Sequence, residues 1–151
     1  MKSMILSTHF IAGAAVASKT DNPFLLLAST IMIHFILDVI PHWQYVYTAP
    51  ELKKRKIQLY ITADIIVGPL LVAAFIGKTD IHRFLWLTLG GILCMLPDFF
   101  TVLSVIFPRS KLLKKMLDFH EYVQKYAHQD KMVGIVTQLA IIIIAIGVLN
   151  Y

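Results

Sequence analysis

Residues 23–41 read PFLLLASTIMIHFILDVIP, an apolar run interrupted by one histidine, His34, and one aspartate, Asp38. A bilayer core of about 30 Å is crossed by about 20 mostly apolar residues in a helix, and this stretch meets that length. Working outward, residues 57–77, 83–107 and 132–150 meet it too. Met4 to Ser18 is shorter and ends in Ala15-Val16-Ala17, a small-residue pattern of the kind that closes a secretory leader. His9 lies inside its apolar part, which favours a retained helix over a cleaved one.

The bulk composition agrees with this reading. The chain has 151 residues, 58% of them hydrophobic and 15% charged, where a soluble domain carries about 25% charged residues. The fold class expected is therefore an all-α integral membrane bundle of about five transmembrane helices, forming one domain over residues 1–151. The single cysteine, Cys94, excludes a disulfide framework and reads as a small packing residue.

The formal net charge of +5 would suggest nucleic acid in a soluble protein. Here the cations lie between apolar runs, which points to lipid headgroups and topology, with no nucleic acid as partner. With five spans, eleven of the fourteen Lys and Arg residues share one side; only Lys19, Lys78 and Arg83 fall on the other. The positive-inside rule then places the N-terminus in the cytoplasm of a cell whose inner membrane holds the chain. Between residues 110 and 129, Leu113, Met116, Leu117, Val123 and Ala127 recur at helical spacing among lysines. This predicts an amphipathic interfacial helix, with His120 on its apolar row. Trp43, Tyr45, Tyr47 and Trp86 suit interfacial anchoring, and His82, beside Arg83, suits solvent.

Three aspartates, Asp38, Asp64 and Asp98, sit inside the apolar runs with His9 and His34, and His42 closes the second run. An aspartate near the centre of a membrane helix costs about 2.5–3.5 kcal/mol, so something must offset three of them. At about 1.5 Å per residue, the predicted topology puts these groups at one level, about 5–15 Å from the cytoplasmic boundary. His34 and Asp38 are four apart and share a helical face, a spacing at which two side chains can ligate one metal. Pro97, directly before Asp98, and Gly68-Pro69, one turn beyond Asp64, interrupt helical hydrogen bonding near the carboxylates.

These residues predict metal ligands at His9, His34, Asp38, Asp64, Asp98 and His120, with His128 as an alternative late ligand. His42 and Glu121, at the mouth of the layer, are the candidates for catalytic proton transfer. Mixed imidazole and carboxylate donors suit zinc, with manganese or iron also possible.

Thr8-His9 before Ala12-Gly13-Ala14-Ala15, the block His34-Phe35-Ile36-Leu37-Asp38-Val39-Ile40-Pro41-His42-Trp43, and Leu96-Pro97-Asp98 occur in that order. They resemble the bacterial membrane-bound proteins described as predicted metal-dependent hydrolases, of the LexA-regulated inner-membrane type and its short relatives. The resemblance spans most of the chain, with the His34–His42 block its most specific part. It implies a divalent metal and hydrolysis. The ligand types are also similar to those of zinc-dependent phospholipase C, by analogy alone. The expectation is a metal-dependent hydrolase of a phosphate ester in a membrane lipid at the cytoplasmic leaflet. A proton- or ion-coupled transporter and a non-catalytic scaffold holding a structural metal are the alternatives.

Overall fold

A computed structural model of the chain describes residues 5–44, 49–76, 80–127 and 131–151, with the backbone alone at 49, 50 and 126. The fold is all-α. Its helices are α1 (Leu6–Ala17), α2 (Pro23–Val39), α3 (Arg55–Phe75), α4 (Ile81–Ile106), α5 (Lys111–Val123) and α6 (Lys131–Asn150), with short 3₁₀ turns before α3 and after α5. Asn22 starts α2 by accepting from the amides of Phe24 and Leu25, with Pro23 in the first turn, where its missing N–H costs nothing. Asp80 starts α4 the same way through the amide of His82.

α1 is the centre of the bundle. It packs on α2, α3, α4 and α6, and ten of its twelve residues are buried. A helix apolar on all sides belongs in an interior, and the small residues of Ala12-Gly13-Ala14-Ala15 let neighbours come close. A side chain at Gly13 would fall on the carbonyl oxygen of Gly90 and on Cys94, so α1 and α4 touch backbone to backbone. Phe10 fills the space left by Gly68 on α3 and Gly91 on α4. At the far end of α1, the Trp86 indole donates to the carbonyls of Ala17 (3.1 Å) and Thr20 (2.8 Å). The half-buried Trp86 thus fastens the terminus, whose carbonyls have no partner within the helix.

The outer helices reverse the pattern of a soluble protein. Leu59, Ile66 and Leu70 on α3, Leu85 and Ile92 on α4, and Ile143 and Ile144 on α6 are all exposed. α3, α4 and α6 are each long and apolar enough to cross a membrane. The other two apolar helices are shorter. α1 and α2, with 12 and 17 residues, are about 18 and 25 Å long, short of a 30 Å hydrocarbon core. A short α1 is tolerated because its surroundings are protein. α4 runs on through Pro97 and α3 through Pro69, so neither proline ends its helix.

α5 is the amphipathic helix expected between 110 and 129, ending at Val123. It packs on α4 and α2. Leu113, Met116 and Leu117 are half-buried and His120 fully buried, while Lys111, Lys114 and Lys115 are exposed.

Candidate metal centre

Five of the six predicted ligands meet. His9 comes from the first half of α1, His34 and Asp38 from the last two turns of α2, Asp98 from the turn after Pro97, and His120 from the inner face of α5. Each is at most 4% exposed. Asp38 is the hub: its Oδ2 lies 2.6 Å from His120 Nε2 and 3.1 Å from His34 Nε2, and its Oδ1 lies 3.3 Å from His9 Nε2. Asp98 faces the same rings at longer range, with Oδ1 3.7 Å from His120 Nε2 and Oδ2 4.0 Å from His9 Nε2. The rings of His9 and His34 are stacked with centroids 4.3 Å apart.

An inventory of hydrogens reveals what the cluster lacks. His34 Nδ1 lies 2.7 Å from the carbonyl oxygen of Cys94. A carbonyl only accepts, so Nδ1 carries the hydrogen. His120 Nδ1 lies 2.9 Å from Thr101 Oγ1, whose own hydrogen goes to the Pro97 carbonyl at 3.2 Å. This nitrogen must therefore donate too. In neutral rings both Nε2 atoms then present lone pairs, and both lie against the same carboxylate oxygen, that of His120 also facing the Gln124 amide nitrogen at 3.0 Å. Two acceptors repel at these distances, and a positive charge between them removes the conflict: a proton on a ring or a metal ion. His34 Nε2, both nitrogens of His9, Asp38 Oδ1 and both oxygens of Asp98 have no hydrogen-bond partner among the described residues. Buried polar atoms are almost always paired, and an unmet donor or acceptor costs about 1–3 kcal/mol.

The surrounding groups hold the rings as metal ligands are held. A ligating histidine gives its second N–H to a carbonyl, hydroxyl or carboxylate, which fixes tautomer and orientation; His34 and His120 both do so. Pro97 deprives the Leu93 carbonyl of its helical donor, and the next carbonyl, that of Cys94, takes the His34 hydrogen. The buried side chains include two sets that could hold a metal ion: His34, Asp98 and His120, and His9, His34 and Cys94, each with ligand atoms within 4.8 Å of one another. Cys94 is thus more than packing, since its carbonyl orients His34 and its thiol adjoins two imidazoles.

Asp64 requires a correction. Its Oδ2 accepts from the amide of Leu6 at 2.5 Å and its Oδ1 from that of Ser7 at 3.1 Å. The carboxylate caps the N-terminus of α1, where free N–H groups and the helix dipole favour a negative charge.

His42 is buried, accepts no role in the hub, and places Nδ1 2.9 Å from the Ile40 carbonyl. Burial pushes its imidazole below the usual value, leaving it neutral at pH 7. Glu121 is exposed next to the buried His120, so it stands at the surface and not in the cluster. His128, Tyr45 and Tyr47 lie outside the described residues. His82 is exposed, as expected.

Three contributors escaped the sequence reading: Thr101, Gln124 and the Cys94 carbonyl. Gln124 is 1% exposed and sets its amide nitrogen 3.0 Å from His120 Nε2. Thr101 follows Asp98 by three residues and Gln124 follows His120 by four, the helical spacings that keep a residue on its neighbour's face. That periodicity was the available signal. No family model matches this chain, and no curated protein or solved structure matches it either.

Proposed function

We propose that this chain is a metal-dependent hydrolase of the bacterial inner membrane that cleaves a phosphate ester in a lipid substrate at the cytoplasmic leaflet. One observation carries the reading: the Nε2 lone pairs of His34 and His120 converge on Asp38 Oδ2, while five further polar atoms of the cluster have no hydrogen-bond partner among the described residues. Cationic charge at the cluster would meet the converging Nε2 atoms and carboxylate oxygens. Three imidazoles and two carboxylates suit zinc, and manganese or iron would also accept them. When bound, such an ion supplies a water molecule acidified toward a pKa of about 7 and polarises a phosphoryl oxygen.

The protein's own groups have definable parts. Cys94 and Thr101 hold the rings, and Asp38 spans three histidines. His42, buried and neutral, is suited to accept a proton. Glu121, exposed beside His120 and outside the cluster, would serve only a leaving group that departs toward the surface. Exposed Lys111, Lys114 and Lys115 along α5 would gather anionic headgroups, at about 1 kcal/mol each near a membrane surface. Eleven of fourteen cations on one side of the predicted five-span topology support a cytoplasmic position for this face. The resemblance of the His34–His42 block to membrane-bound metal-dependent hydrolases supports the same class.

The test uses full-length protein purified without added metal and reconstituted in vesicles of phosphatidylethanolamine and phosphatidylglycerol. Phosphate release is followed from phosphatidic acid, an isoprenyl diphosphate and the vesicle lipids. Release that chelator abolishes and zinc or manganese restores is the expected result. Wild-type protein carrying its metal yet releasing nothing from any of these substrates would leave a scaffold built around a structural ion.

A further inference from the structure

The two carboxylates share a geometry that one ion does not explain. Asp38 turns Oδ1 to His9 (3.3 Å) and Oδ2 to His34 and His120 (3.1 and 2.6 Å). Asp98 repeats the division, with Oδ2 toward His9 (4.0 Å) and Oδ1 toward His120 (3.7 Å). Each carboxylate therefore shows one oxygen to His9 and the other to His120. Donors bound to one zinc at about 2.0–2.2 Å stand about 3–3.5 Å apart, a separation near those seen here. The converging donors are three ring nitrogens and four carboxylate oxygens, more than the four that a zinc ion takes. These seven divide into two sets, with the Cys94 thiol beside His9 and His34.

We propose that the cluster is a two-cation centre bridged by Asp38 and Asp98, a reading that rests on the cluster being a cation site. The first set is His9 Nε2, Asp38 Oδ1 and Asp98 Oδ2. The second is His34 Nε2, His120 Nε2, Asp38 Oδ2 and Asp98 Oδ1. Four protein donors complete a tetrahedral ion, whereas three leave a position open for water, the difference between closed structural sites and open catalytic ones. The His9 position is thus the one that exchanges ligands, and the His34/His120 position the one that holds the assembly together. Two divalent ions against two carboxylates leave an excess of two positive charges. A phosphate monoester dianion offsets that excess, and paired ions clamp the oxygens of a phosphoryl group on both sides. The substrate class follows: a phosphomonoester rather than a neutral carboxylic ester.

The full-length protein in detergent, stripped with chelator, is titrated with zinc or manganese alone. Elemental analysis after desalting gives the stoichiometry, and the electron spin resonance of the manganese form reports coupling between neighbouring ions. Two ions per chain and an exchange-coupled manganese signal are expected. His9→Gln and His9→Ala should each retain one ion and lose the coupling, and at least one of the two should keep the elution volume of a folded bundle. Saturation at one ion per chain, or an uncoupled signal at two, overturns the two-cation centre while leaving a cation site standing. No bound ion in wild-type protein overturns both.

Discussion

Asp64 and Asp38 are both buried aspartates within apolar helices, and they meet their burial in opposite ways. Asp64 sits under the N-terminus of α1 and spends both oxygens on the amides of Leu6 and Ser7. Asp38, at the next level of the bundle, faces three imidazoles, two of which have already committed their hydrogens elsewhere. The first carboxylate is offset by the backbone, and the second by positive charge among its imidazoles, a ring proton or a metal ion. An ionisable residue in a membrane helix is a functional signal only after the backbone has been excluded as its partner.

Four substitutions and one control test that contrast and the packing that supports it. Asp38→Ala should bring bound metal to background and abolish metal-dependent phosphate release. It should also lower stability by about 3–5 kcal/mol, because removing one partner strands the other buried charges; elemental analysis and thermal melts in detergent measure both. If Asp38→Ala keeps its metal, the two aspartates do not differ as argued. Gly90→Leu comes next. Its new side chain would meet the Gly13 carbonyl and Ala17 Cβ at 2.5 and 2.6 Å, and overpacking of this kind costs about 1–3 kcal/mol or more. Gly147→Ala, with nothing within 4 Å of the added carbon, is its control and should leave the melting temperature no lower.

Thr101→Val removes the acceptor behind His120, together with the hydroxyl's bond to the Pro97 carbonyl, and should weaken zinc affinity by about 10–100-fold, read by competition with a chromophoric chelator. Unchanged affinity would mean that His120 is not oriented for a metal. Asp64→Asn should have the smallest effect, a loss of about 1 kcal/mol as a helix cap weakens, with metal stoichiometry unaltered. A fall in stoichiometry would return Asp64 to the site.

Much of the site was legible because helices are local structures. The i,i+4 pair His34/Asp38 and the position of His120 on the apolar row of α5 follow from 3.6 residues per turn, and both are realised. Agreement in depth brought in His9 and Asp98. The same argument wrongly admitted Asp64, since depth along a helix says nothing about which way around it a side chain points. Thr101 and Gln124 went unnoticed because threonine and glutamine carry no charge whose burial demands an explanation.

Composition and periodicity by themselves determined an all-helical chain, with helix positions correct to a few residues and a polar layer at one end. These properties depend on apolar run length and helical repeat, which neighbouring residues fix. The tertiary structure decided that α1 is the core, and which aspartate faces amides and which faces imidazoles. It also decided that two carboxylates divide their oxygens between opposite histidines. Those outcomes depend on the rotation of each helix about its own axis. Close contacts set that rotation, Gly13 against Gly90 and Phe10 between Gly68 and Gly91, and such contacts join residues far apart in the chain.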